Sequence, residues 1–255
     1  MITYEKAHVR VAEFFFDEQE SRTPADIVRY QFRPDPVKGC ESSDFHTLCL
    51  DLACDADTIL SKIHKETRYQ IRRAGKDNFA CEYHSHPDAA LAEEFFGFYD
   101  RFADIKNVPR VNRTRISAFR RHDVLDLSRV RGADGRVLVW HAYLRMRNCA
   151  RLIHSASHFR VADKLEATMM GRANRYLHWM DILHCKETGL GVYDFGGWYA
   201  GQTDVEKLKI NQFKESFGGE RVHQYNADRS NSLVGAAALG ARVAMRLLDR
   251  RKWNW

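Results

Sequence analysis

The run Tyr193-Asp194-Phe195-Gly196-Gly197-Trp198 ends an apparent strand in an acid followed by two glycines. Paired glycines open the backbone beside a polar side chain and let main-chain groups approach a ligand. The same residues also suit a tight turn in which Asp194 binds its own backbone. Sixteen residues beyond Gly197 begins Phe213-Lys214-Glu215-Ser216-Phe217-Gly218-Gly219. Phe213 and Phe217, four apart, share one face of a helix and set Lys214 beside an apolar stripe. An ammonium so placed can orient an acyl donor or stabilise the negative oxygen of a tetrahedral intermediate. On an ordinary surface it would be solvated.

A third segment, Gly171-Arg172-Ala173-Asn174, reads as a loop entering a helix. Small residues there let N–H groups meet an anion, and the helix dipole adds partial positive charge. Arg172 and Arg175 would lie in that first turn, where cations oppose the dipole, so a phosphate or carboxylate is expected beside them. A glycine needed only for packing is the plainer alternative. His154 and His158, near the end of a strand, have the pKa range of a general base, or else are structural.

The elements that must position these residues alternate between strand and helix. IVRYQF and HTLCLDL read as strands joined by the turn PDPVKG. Asp55 or Asp57 caps one helix running to about Lys76, with Ile59, Ile63, Thr67 and Ile71 buried and Lys65, Arg68, Arg72 and Lys76 forming a basic stripe. FACEYHS is a strand, and Pro87 opens a helix on the core stripe Leu91, Phe95, Phe98 and Phe102. Residues 107–123 read as irregular. Strands follow at Arg136–Met146 and Ala150–Phe159. The helix after Gly171 buries Tyr176, Leu177, Met180 and Leu183 and ends near Gly189; VYDFGGW is the next strand, and Val205–Phe217 a further helix. A last, alanine-rich helix carries Arg242, Arg246, Arg250, Arg251 and Lys252, with Trp253 and Trp255 at its end. It would pack on the N-terminal part or lie on an anionic bilayer. The class is mixed α/β.

Composition excludes several alternatives. At 255 residues, 44% hydrophobic and 29% charged, the chain is neither disordered nor collagenous. Forty basic against 34 acidic residues give +6, with seven arginines between Arg110 and Arg131. Such clustering suits phosphates, nucleic acid or an acidic lipid surface, or is simply a solvated face. The six cysteines form no CxxC pair and no zinc-ligand spacing with histidine, so no metal is expected. With no leader-like start and no 18-residue apolar run, a cytoplasmic protein with reduced thiols is expected.

YDFGG followed by FKESFGG resembles the signature of the Fem aminoacyltransferases, which extend peptidoglycan side chains from aminoacyl-tRNA. KETRYQIRRAGK resembles their basic segment and the opening of BioF2-like GNAT acyltransferase domains, and GRANRYLHWMDILHCKETGL resembles the helix before YDFGG in both. The resemblance spans roughly residues 48–220. It implies a GNAT-like, mainly antiparallel sheet flanked by helices, with donor and acceptor meeting near the YDFGG strand. By motif, Lys214, Phe213 and Asp194 fall at the catalytic positions, with His154 as an alternative base. Donor or substrate contacts are expected from Arg68, Arg72, Gly171, Arg172, Arg175, Tyr193, Gly196, Gly197 and Trp198.

Only some 50 residues precede the basic helix, so residues 1–76 are expected to be a reduced first subdomain of hairpin and helix. Residues 77–225 would form the transferase domain, and 226–255 a helix packing back. An acetyl-CoA loop is partly met by Gly171-x-Ala173, with Thr168 in its basic or amide position. The resemblance implies transfer to an amine; because no cysteine sits in a recognisable Cys/His setting, transfer without an acyl-enzyme is expected, with no tightly bound cofactor. Aminoacyl-tRNA would donate to a peptide, nucleotide- or lipid-linked precursor, or acyl-CoA to an amino sugar or small amine. A non-catalytic RNA- or membrane-binding module is the third reading. Peripheral membrane contact through the last helix is a further expectation.

Overall fold

The computed structural model describes residues 1–157 and 164–248. Its strands are β1 (Ile2–Lys6), β2 (Val9–Phe15), β3 (Ile27–Arg33), β4 (Ser42–Asp51), β5 (Ala80–Ser85), β6 (Leu125–Arg131), β7 (Val137–Met146), β8 (Cys149–Ser157), β9 (Val192–Gly197) and β10 (Glu220–Ser230). All ten join one sheet in the order β1-β2-β3-β10-β4-β9-β8-β7-β6-β5. Only β2–β3 and β8–β9 are parallel. A mixed, mainly antiparallel sheet flanked by helices is the class read from the sequence.

One helical layer comprises α1 (Ala56–Lys62), α2 (Lys65–Ala74), α5 (Lys164–Glu187) and α6 (Val205–Glu215). Ile59, Ile71 and Ile182 from these helices, with Phe217 just past the end of α6, meet Leu48, Tyr193 and Phe195 from the sheet. The opposite layer holds α3 (Ala89–Lys106), α4 (Arg113–Arg121) and the inner side of α7 (Leu233–Leu248). Strand alternation divides β7 between them. Trp140, Ala142 and Leu144 enter the α3 core, whereas Tyr143 enters the α5 core.

Several elements depart from the sequence reading. The strands β3 and β4 form no hairpin, because β10 inserts between them and pairs antiparallel with both. β10 escaped notice because its buried and exposed positions follow no apolar alternation. β1, β2 and β6 were likewise unread; β2 and β6 bury Glu13, Asp126, Ser128 and Arg129, which break the hydrophobic signal. Residues 113–121, read as irregular, form α4 with Asn112 accepting from the Arg115 N–H at its start.

The expected single helix from Asp55 to Lys76 is two. Ile63 and His64 are extended, and the His64 N–H donates to Ser216 O over 2.8 Å. Thr67 Oγ1 donates to Ser216 Oγ, also at 2.8 Å. The break is therefore a docking event against the end of α6. Neither Gly nor Pro marks it locally, so only the tertiary contact decides it.

Candidate active site

β9 places Tyr193 and Phe195 in the α5–α6 core and, by alternation, Asp194 on the other side of the strand. Asp194 accepts hydrogen bonds from Thr47 Oγ1 and, at 2.8 Å, from the Gly196 N–H. Its second oxygen lies 2.7 Å from Arg151 Nη2. Arg151 is itself buried, with its guanidinium 3.7 Å above the centre of the Phe32 ring, and it donates to Gln224 Oε1 at 2.7 Å. Asp194 thus anchors the glycine turn that follows it through Oδ1, while its buried Oδ2 meets Arg151 as an ion pair without a hydrogen bond.

That turn needs glycine. Gly196 has φ +71°, and a Cβ there would stand 2.3 Å from Leu152 O. The parallel pairing of β8 with β9 ends at Arg151 opposite Asp194, so the regular ladder stops where the glycines begin. The carbonyls freed there meet Lys214. Its Nζ donates to Gly197 O and, over 3.3 Å, to Gly196 O. Asp204 caps the helix that delivers it, accepting from Lys207 N at 3.1 Å. Lys214 is buried rather than solvated. Burial lowers its pKa to about 8, against the opposing pull of the Asp194 carboxylate.

Phe213 lies against two side chains of α5. Its ring centre lies 5.4 Å from that of His178, and the Arg175 guanidinium carbon is 5.1 Å away. His178 is buried against Phe195, Phe213 and Phe217. Its Nδ1 is 2.7 Å from Tyr193 OH, which is 2.7 Å from Tyr143 OH, which donates to Asp181 Oδ2 at 2.6 Å. Asp181 Oδ2 also accepts from Ser128 Oγ at 2.9 Å and lies 2.8 Å from His141 Nδ1. Burial, with the charges of His141, Lys214 and Arg175, drives the His178 pKa well below its ordinary value. The ring is neutral at physiological pH, and its Nε2 has no hydrogen-bond partner among the described residues.

The other positions singled out from sequence divide sharply. Gly171 is the eighth residue of α5, not its entrance, because the helix already begins at Lys164. No helix starts at Gly171, so Gly171, Arg172 and Arg175 do not form the helix-start anion site expected of them. Arg172 instead pairs with Asp77 at 2.7 Å. Arg175 donates to Gly171 O at 3.0 Å, while its buried Nε lacks a partner among the described residues. Arg68 donates to the Ser61 and Ile63 carbonyls that end α1, whereas Arg72 is exposed on α2. Tyr193 has its hydroxyl committed inside the chain just described. Trp198 donates to Glu215 Oε1 at 2.9 Å, beneath the Arg221 guanidinium.

His154 lies on the α3 side of the sheet, edge-on to Tyr99 at 4.9 Å, away from Lys214. Burial and the nearby Arg115 lower its pKa to about 4. His158 lies outside the described residues. The arginines of 110–131 are mostly neutralised by acids. Arg110 pairs with Asp104, Arg113 with Glu93 and Asp100, Arg115 with Glu13, and Arg129 and Arg131 with Glu82. Five of the seven are thus held by acids. Exposed cations remain at Lys65 and Arg72 on α2 and at Lys76 just past its end.

Sequence reasoning missed Arg151, His178, Asp181, His141 and Tyr143. A signal existed in α5, where Asn174, His178, Asp181 and Cys185 repeat at helical spacing and form the polar part of the buried face. Reading that face from its apolar residues alone displaced it. Among the described residues, no group of His, Cys, Asp and Glu could hold a metal ion. Nor is any helix there long and apolar enough to cross a membrane.

The sheet, the end of its β8–β9 ladder and the α5–α6 layer define a Fem-type, GNAT-like fold. FemX matches with TM-score 0.58 at 12% identity over 71% of this chain and 61% of that one. The C-terminal domain of a protein assigned as a lysylphosphatidylglycerol synthetase from Agrobacterium fabrum matches with TM-score 0.55 and 14% identity, over 85% and 72%. L-PGS from Bacillus licheniformis gives 0.52 and 12%, over 85% and 72%. This chain thus spans about three fifths of the FemX chain. At such identities the likeness is one of fold. No family model and no curated protein sequence matches the chain.

Proposed function

We propose that the protein is an acyl- or aminoacyltransferase that joins an activated carboxyl group to an amine, with Lys214 at the reacting carbonyl. The observation that carries this reading is a buried ammonium held at the Gly196 and Gly197 carbonyls beside Phe213. An ammonium removed from water stabilises a developing oxyanion more strongly than an exposed one. The Fem-type fold supports the same class.

In the reaction the amine nitrogen attacks the donor carbonyl. The C–N bond forms as the ester C–O or thioester C–S bond breaks, and one amine proton ends on the leaving oxygen or sulfur. His178 is the base that carries it. The ring is neutral, so it is able to accept a proton, and the imidazolium would be stabilised through Tyr193 and Tyr143 by the Asp181 carboxylate. Burial raises the Cys49, Cys81, Cys149 and Cys185 thiols, which opposes an acyl-cysteine route through any of these four.

Aminoacyl-tRNA is the proposed donor. The exposed cations Lys65 and Arg72 lie on α2, with Lys76 just past its end, and α2 packs on α5 beside the site. Acyl-CoA is the second reading, favoured by the end of the β8–β9 ladder, where backbone groups could pair with an extended amide-containing arm. The acceptor would be an amine on a peptide, nucleotide- or lipid-linked precursor, or a small amine. The test presents the protein with a labelled pool of mixed aminoacyl-tRNAs and, separately, with several acyl-CoAs. Loss of label from one aminoacyl-tRNA establishes the first donor, and consumption of an acyl-CoA the second. Inertness toward both, with binding of RNA that weakens steeply with salt, would replace the enzyme by a binding module.

A further inference from the structure

The helix α7 is built the wrong way round for a helix facing water. Its inner side is fixed to the body of the protein. Gly235 is buried so tightly that a Cβ there would lie 2.0 Å from Asp26 O. Ser232 Oγ donates to Asp26 Oδ1 at 2.8 Å, Ala238 and Leu239 enter the core, and Arg242 binds Asp228. At 100° per residue these inward positions occupy one arc. The remainder, from Leu233 to Met245, faces outward and carries no polar side chain.

Leu233 is 91% exposed, Val234 53%, Val243 55% and Met245 59%. Between them lie only Ala236, Ala237, Gly240, Ala241 and Ala244. A solvent-facing helix normally turns its charges outward; here the one charged residue of this stretch, Arg242, turns inward. By contrast, the exposed Val205 and Ile210 of α6 are interspersed with Glu206 and Lys209.

Charge decides what covers this face. The helix contains no acidic residue, and the sequence from 246 to 252 holds four cations, Arg246, Arg250, Arg251 and Lys252, against one acid, Asp249, followed by Trp253 and Trp255. At the other end of the helix, exposed Arg22 lines the same recess as Asn231 and Ser232. A second copy of α7 would bring no anion to these cations. An anionic lipid surface supplies one, along with an apolar layer for the valines, leucine and methionine and an interfacial zone suited to tryptophan. Among the described residues no helix is long and apolar enough to cross a membrane, so the helix would lie in the plane of the surface.

We infer that α7 is a membrane-surface anchor, seating its Leu233–Met245 outer face in the headgroup layer of a bilayer rich in anionic lipid. The inference does not rest on the transferase reading and is tested without any turnover. The full chain is floated with phosphatidylglycerol-containing vesicles and with pure phosphatidylcholine vesicles. Binding should be restricted to the former and weaken as salt is raised. It should fall at least about tenfold in Val234→Asp/Val243→Asp, whose outward positions leave the core intact, and in Arg250→Glu/Arg251→Glu, which leaves the outer face of α7 untouched. The circular dichroism of each variant is compared with the parent to confirm folding. Absence of flotation with anionic vesicles would overturn the inference, as would flotation unchanged in both variants. A dimer in solution that Val234→Asp/Val243→Asp dissociates would overturn it in favour of a second copy.

Discussion

Arg151 Nη2 and Asp194 Oδ2 lie 2.7 Å apart in the interior, with the arginine roofed by the Phe32 ring and the aspartate tied to the Gly196 N–H. This pair fixes the turn whose carbonyls receive Lys214. Removing one partner leaves an uncompensated buried charge. Asp194→Asn should therefore destabilise the fold by about 3–5 kcal/mol in urea titration. Arg151→Met/Asp194→Asn should cost less than the sum of the single changes. Additive effects would mean that the two side chains do not act as a pair.

Lys214→Met should lower transfer by on the order of 10²–10³ if its ammonium stabilises the oxyanion. Its pKa of about 8 sets the pH dependence. The charged form predominates below that value and is lost above it, so the rate should decline as pH rises through about 8. An unchanged rate in Lys214→Met would return the residue to a purely structural role.

The two buried histidines should separate cleanly. His178→Asn should reduce transfer by on the order of 10²–10⁴, the usual contribution of a positioned base. Tyr193→Phe, which cuts the chain to Asp181, should reduce it less and alter its pH profile. His154→Asn, on the far side of the sheet, should leave the chemistry of a correctly folded sample unchanged. Equal losses at both histidines would point to packing alone.

Glu82 offers a stability test remote from the site. Burial alone would raise its pKa, but hydrogen bonds from Arg129 and Arg131 outweigh this and hold it at about 2. The folded value lies below the unfolded one. Its contribution is therefore present above about pH 4.5 and lost as pH falls toward 2. In Glu82→Gln that part of the acid-stability curve should flatten, as followed by melting temperature between pH 5 and 2. A curve parallel to the parent's would show that the bridge contributes nothing.

The runs around Asp194 and Lys214 were legible in the sequence because each is local. A glycine pair after an acid and a lysine flanked by phenylalanines are patterns within a few residues, and β9 and α6 carry them. Charge was less reliable. Seven clustered arginines suggested an anionic partner, yet Arg110, Arg113, Arg115, Arg129 and Arg131 have acids that lie up to 102 residues away in sequence.

What the sequence by itself determined is the alternation of strands and helices and the two local runs that hold Asp194 and Lys214, since amphipathic period and turn residues act over short range. Tertiary structure decided the rest. It inserted β10 between β3 and β4, split the basic helix where His64 meets Ser216, and turned α5 so that His178 and Asp181 face inward. It also brought Arg151 to Asp194, 43 residues further along the chain. A buried polar group is tolerated only when it finds a partner, and that partner is set by the packing of distant elements rather than by neighbouring residues.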